Sequence, residues 1–120
     1  MVRNWALKKR AQYQKVYKFG IAWGDKLVVI KAFTNGLEFS RYGFSVSKSL
    51  GKAVTRNRTR RLLKEIVRTT KIRSGWDIVF IARKDIIKVD YHRLKKSIER
   101  LLFRADLLVE KNEVASTGVN

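Results

Sequence analysis

The sequence contains no cysteine and no proline, and only one methionine and one histidine, in 120 residues. Without cysteine it can form neither a disulfide scaffold nor a thiolate metal site. A lone histidine, His92, leaves little from which to build a His-rich metal centre or a Ser-His-Asp triad. No apolar run approaches the ~20 residues that cross a bilayer, so no membrane span is expected. The opening Met1-Val2-Arg3-Asn4-Trp5 lacks the apolar stretch of a secretion signal, which makes the cytoplasm the expected location. Acids are also scarce: 10 Asp and Glu stand against 28 Lys and Arg, for a net charge of +18. Residues 1–64 hold 16 of those bases and two acids, Asp25 and Glu38, whereas residues 65–120 hold 12 bases and eight acids.

What is present is material for a core. Hydrophobic residues make up 45% of the chain, with three Trp, four Tyr and six Phe, which separates it from a disordered basic tail. The length suits one domain, set at residues 1–110, with a Ser-, Thr- and Gly-containing tail over 111–120 expected to fray. Cations crowded into one half of a small domain repel one another until a polyanion relieves them. Nucleic acid is the first such partner to consider, and an anionic membrane surface the second.

Periodicity places the elements. Lys8 to Phe19 reads as a helix, with Tyr13, Val16, Tyr17 and Gly20 at i, i+3, i+4 and i+7. Lys26 to Phe33 reads as a β-branched strand, Thr34-Asn35-Gly36 as a turn, and Ile21–Trp23 as a short extra strand. Arg41 to Ser47 alternates: Tyr42, Phe44 and Val46 face one way, while Arg41, Gly43, Ser45 and Ser47 form a small, polar, cationic face on which a phosphate chain could lie. Thr55 to Thr70 reads as a helix with the apolar stripe Thr59, Leu62, Leu63, Ile66 and Val67. Trp76–Ala82 reads as a buried strand, and Asp90 as the N-cap of a last helix running to Arg104. The order defines an α+β domain with helices packed on one sheet.

The chemistry concentrates between Lys48 and Lys64. Lys48, Lys52, Arg56, Arg58, Arg60, Arg61 and Lys64 are seven cations with no acid among them. Arg56, Arg60 and Lys64, at i, i+4 and i+8, form a row about 12 Å long beside the apolar stripe, enough for two or three phosphates of a nucleic-acid strand. Arginine adds a planar fork for bidentate phosphate contact. A solvated helix face usually mixes signs; here only Arg61–Glu65 offers a good i, i+4 ion pair.

These residues resemble a known family. Arg41-Tyr-Gly-Phe-Ser-Val-Ser-Lys48, then Gly51-Lys-Ala-Val-Thr-Arg-Asn-Arg58, then Arg60-Arg-Leu-Leu-Lys-Glu65 are similar to the signature of the bacterial ribonuclease P protein subunit, centred on Arg56-Asn57-Arg58. Tyr13, Val16, Tyr17 and Gly20 in the first helix and Ile78-Val-Phe-Ile-Ala-Arg83 in the late strand extend the likeness over roughly Leu7 to Arg104. Tyr13 stands where the family usually has Phe, and Lys31 at a sheet position that is often aromatic.

The resemblance implies a mostly antiparallel four-stranded sheet with a left-handed βαβ crossover, against the right-handed form that ~98% of parallel crossovers adopt. It implies a protein cofactor of a ribozyme that removes the 5′ leader of precursor tRNA. No catalytic residue or cofactor is expected in the protein itself; Mg2+ belongs to the RNA subunit. Its partners would be the ribonuclease P RNA subunit and precursor tRNA, with no protein partner required. Lys48, Lys52, Arg56, Asn57, Arg58, Arg60, Arg61 and Lys64 would dock on the RNA subunit. Tyr13, Tyr17, Val29, Lys31, Arg41 and Ser45 would line a cleft for the single-stranded leader. Ordinary core packing is the alternative for Tyr13 and Tyr17, more so for Tyr17. Two rivals differ in class: a structural RNA-binding protein of the ribosomal kind, which would need no leader cleft, and a protein-only nuclease, which would need the convergent carboxylates that the sequence does not group.

Overall fold

A computed structural model describes residues 5–109; the tail expected at 111–120 lies outside them. The helices are α1 (Arg10–Phe19), α2 (Ala53–Arg68) and α3 (Tyr91–Arg104), and the strands β1 (Ile21–Gly24), β2 (Val28–Thr34), β3 (Arg41–Ser45) and β4 (Trp76–Ala82). Short 3-10 turns cover Lys48–Leu50, within a stretch expected to be a loop, and Lys84–Lys88; the sequence reading anticipated neither turn. The four strands form one sheet in the order β1-β2-β4-β3. β1 pairs antiparallel with β2, and β2 with β4, whereas β3 and β4 run parallel and are joined through α2. The turn at Asn35-Gly36 is real, with Gly36 at φ 72° and the Asn35 carboxamide accepting from Leu37 N–H at 2.7 Å, yet β4 inserts between the strands it joins.

Side-chain parity divides the sheet into two unlike faces. One face carries Val28, Ile30 and Ala32 of β2 and Ile78, Phe80 and Ala82 of β4, buried against Leu63, Ile66 and Val67 of α2 and Leu94, Ile98, Leu101 and Leu102 of α3. The other holds a smaller cluster, Leu7, Val16 and Val79, with Tyr13, Phe33 and Ile81 packed around it. Helix α1 therefore crosses the face opposite α2 and α3.

Several boundaries move for local reasons. Gln12 accepts from the N–H groups of Lys8 and Lys9 at 3.1 and 3.2 Å, so α1 starts at Arg10 instead of Lys8. The Asp25 carboxylate accepts from Leu27 and Val28 N–H at 2.9 and 3.1 Å, which folds Lys26-Leu27 into a turn and delays β2 to Val28. β3 ends at Ser45, two residues short of the expected Ser47. Lys52 is the N-cap of α2, which begins at Ala53. Asp90 caps α3 as expected, accepting from Arg93 N–H at 2.9 Å.

Candidate nucleic-acid interface

Helix α2 presents the basic series to solvent. Thr59, Leu63, Ile66 and Val67 are its buried stripe, and the 3.6-residue period turns the cations away from it. Lys48, Lys52, Arg58, Arg61 and Lys64 are exposed, Arg56 and Arg60 partly so. Among the described residues none of the seven joins an ion pair. The expected Arg61–Glu65 pair does not form: Glu65 instead takes Arg68, one turn further on, in two bonds of 3.1 and 2.7 Å. Arg61 is left uncompensated, and the Arg68 guanidinium holds the Glu65 carboxyl below its usual range.

Two internal contacts order the ridge. Arg56 Nε donates to Gly51 O at 3.1 Å, tying the helix to the loop that carries Lys48. Asn57 Oδ1 accepts from Arg60 Nη1 at 3.2 Å, so Asn57 aims an arginine. The first turn of α2 has no acid and no side-chain cap, which leaves its positive end unopposed.

The leader-cleft candidates gather on the other face of the sheet. Register places Val29, Ile81 and Ser45 side by side across β2, β4 and β3, with Lys31, Val79 and Gly43 as the next row. Tyr13 lies directly over Gly43: a Cβ there would stand 2.6 Å from the ring, so only glycine admits it. The Tyr13 hydroxyl donates to Leu7 O at 3.3 Å; burial, with a smaller push from Tyr17, raises its pKa above 10.0. Tyr17 stands 6.4 Å from Tyr13, ring centre to ring centre, and Lys31 Nζ lies 5.6 Å from the Tyr17 ring while donating to Tyr17 O at 3.1 Å. The core preference is the reverse of the expected one. Tyr17 is 40% exposed and Tyr13 is half-buried, because Gly43 makes room beneath Tyr13 alone.

Arg41 is not brought into this group. It sits at the far end of β3, where Nε and Nη2 grip both oxygens of buried Asp77 at 2.8 Å each. Asn35 Nδ2 adds a third bond to Asp77 at 3.0 Å, making Arg41 a brace between β3, β4 and the Asn35 turn. Ile81 is the floor residue that sequence reasoning missed. It lies on a central strand but is only half-buried, whereas Ile78, Val79 and Phe80 of the same strand are fully covered. Apart from Asp77, Trp76–Ala82 is apolar on both faces, so alternation carried little signal there.

Among the described residues no three His, Cys, Asp or Glu side chains form a group able to hold a metal, and His92 is exposed on the first turn of α3. Asp25 is committed to structure: burial alone would raise its pKa, but bonds from Ser97, Leu27 N–H and Val28 N–H, with Arg100 nearby, bring it below 3.8. No helix among the described residues is long and apolar enough to cross a membrane.

An α+β domain with an unpaired cationic helix ridge on one face and an aromatic sheet cleft on the other has the character of an RNA-binding domain. The ribonuclease P family model matches residues 1–106. The ribonuclease P protein component of Caldanaerobacter subterraneus is 44% identical over 107 residues, covering 88% of this chain and 92% of the relative. That of Clostridioides difficile is 44% identical over 110 residues, covering 89% and 96%. The solved RNase P protein of Staphylococcus aureus superposes with a TM-score of 0.79 at 31% identity, covering 88% of this chain and 98% of that one, and the Thermotoga maritima protein with 0.77 at 32%, covering 82% and 96%. The chain belongs to the ribonuclease P protein family, whose members are the protein component of an endoribonuclease that matures the 5′ end of tRNA and whose catalysis lies with its RNA subunit.

Proposed function

We propose that this protein docks on the ribonuclease P RNA subunit through the α2 ridge and takes the 5′ leader of precursor tRNA in the sheet cleft, in the cytoplasm. The observation that carries this reading is the ridge itself: seven cations from Lys48 to Lys64, all reaching solvent and none neutralised by a described carboxylate. Such a surface binds phosphate by displacing counterions and selects a folded RNA by shape. Lys48, Lys52, Arg56, Arg58, Arg60, Arg61 and Lys64 make the phosphate contacts, with Asn57 positioning Arg60.

The cleft suits a substrate of variable sequence. Tyr17 is an open ring, Tyr13 a supported one, and the row Val29, Ile81 and Ser45 is a flat floor beside them, with Lys31 supplying charge. Stacking is tolerant because every base has a π-face. Arg41 serves the cleft indirectly, by fixing β3 to β4. The magnesium ions and the bond-breaking belong to the RNA subunit.

Reconstitution tests the assignment. With a bacterial ribonuclease P RNA at low magnesium, adding this protein should stimulate precursor cleavage and leave the cleavage position unchanged. Failure to stimulate, where an established subunit does so, would overturn it.

A further inference from the structure

A groove of about 620 Å³ runs between α2 and the segment that precedes α1. Trp5, Tyr42, Val67 and Ile72 form its apolar lining, and Arg61, Lys64 and Lys71 stand along its rim. Trp5 is fixed there by backbone pairing: Tyr42 N–H donates to Trp5 O, Leu7 N–H donates to Tyr42 O at 2.9 Å, and Ala6 bridges Tyr42 in parallel. The half-buried indole leans on Tyr42 at 5.8 Å, tilted, and meets Phe44 edge-on at 6.4 Å, so it rests against the core without being enclosed. Of the four cations lining the groove, Arg68 is tied to Glu65; Arg61, Lys64 and Lys71 join no ion pair among the described residues.

We propose that this groove takes one unstacked base of the RNA whose phosphates α2 binds, stacked on Trp5, with the flanking phosphates held by Arg61, Lys64 and Lys71. The inference rests on the reading of α2 as an RNA-docking helix and adds a mode of contact to it. A nucleotide is an apolar ring with an anion on either side. The groove is an aromatic and aliphatic slot with uncommitted cations at its mouth, which is the complementary arrangement. Purely electrostatic docking would leave the half-buried Trp5 and Ile72 surface without a use. A folded RNA that contains bulges and unpaired junctions can supply a splayed base.

The test uses the full chain and three short single-stranded RNA probes of equal length: one fully abasic, one carrying a purine only at its centre, and one carrying a pyrimidine there. Binding is measured by fluorescence anisotropy for the native sequence and for Trp5→Ala, Trp5→Phe, Tyr13→Ala, Trp5→Ala/Tyr13→Ala and Arg56→Ala/Arg60→Ala. The native chain should bind the purine probe about 5- to 150-fold more tightly than the abasic one, the range that stacking of one base supplies. Trp5→Ala should reduce that preference while leaving abasic affinity unchanged, Trp5→Phe should restore most of it, and Trp5→Ala should reduce it by the same factor once Tyr13→Ala has removed the share that the sheet cleft contributes. No preference in the native chain, or a preference that Trp5→Ala leaves unchanged both alone and together with Tyr13→Ala, overturns the groove assignment. If Arg56→Ala/Arg60→Ala leaves affinity for every probe unchanged, the docking role of α2 fails instead.

Discussion

Replacing Gly43 by alanine adds one methyl group to a strand whose backbone tolerates any residue, yet it should disable the leader cleft. The methyl carbon would lie 2.6 Å from Tyr13 Cε1 and Oη and 2.7 Å from Cζ. Carbon atoms settle at about 3.5–4.0 Å, so the ring must retreat by about 1 Å or swing aside. The displaced ring loses its hydroxyl bond to Leu7 and its place beside Tyr17. Overpacking of this kind costs about 1–3 kcal/mol of stability. The larger effect should appear in binding, where loss of one stacked base is worth about 1–3 kcal/mol, or about 5- to 150-fold. Gly43→Ala should therefore weaken precursor tRNA binding by the assembled holoenzyme within that range while mature tRNA, which lacks the leader, is bound as before. Affinity for the RNA subunit should not change, because α2 lies on the other side of the sheet. A double-mutant cycle sharpens the test: once Tyr13→Ala has removed the ring, adding Gly43→Ala should cost almost nothing further. Equal losses for precursor and mature tRNA, or additive effects of the two substitutions, would refute the reasoning.

Affinity for the RNA subunit should fall steeply with salt; engagement of about six phosphates implies a loss on the order of 10³-fold between 50 and 200 mM. Arg56→Ala/Arg60→Ala should weaken binding and lower the log–log salt slope by about 2, so an unchanged slope would place those arginines off the interface. Asp25→Ala should destabilise the fold by about 1–3 kcal/mol at pH 7, since it strips partners from Ser97 and from the N–H groups of Leu27 and Val28. Because the folded pKa lies below 3.8, the charged form's contribution is complete above that value and is lost as pH falls through the folded pKa. In urea melts the gap between Asp25→Ala and the native chain should hold from pH 7 to pH 5 and narrow at pH 3; an equal gap throughout would show that the carboxylate's charge is immaterial.

Local pattern exposed some of this architecture and concealed the rest. The α2 ridge was legible because helix period and charge sign coincide: apolar residues recur on one side, and the flank beside them carries only cations. β3 was legible because its two faces differ in polarity. β4 was legible as a buried strand, with the bounds it has, but its facing was not, since both of its faces are largely apolar and nothing local distinguishes Ile81 from Phe80. The Arg41–Asp77 brace joins residues 36 apart and depends on β3 and β4 being neighbours, which no local pattern reveals. The Glu65 partner followed geometry over spacing, since Arg68 one turn ahead reaches the carboxylate with two donors. Trp5 carried no signal at all, because its groove exists only when the N-terminal segment lies along β3.

On the proposed reading, the separation of the two surfaces would let a small, highly charged protein discriminate its substrate. A strand lying along the α2 ridge is bound whatever its sequence and whether or not it carries a leader, so charge alone cannot tell precursor from product. The sheet face can. Its floor is apolar apart from Lys31, since Asp77 pairs with Arg41, and rings and a flat floor add to the charge that the lysines of α1 bring to its edge. In the proposed arrangement, with the RNA subunit gripping the tRNA body and the protein anchored through α2, the leader would meet the cleft intramolecularly, and a few stacked bases would suffice to favour the species that still carries a leader. Adding cations to the sheet face should then raise affinity for precursor and mature tRNA together. Added rings should raise it for precursor alone.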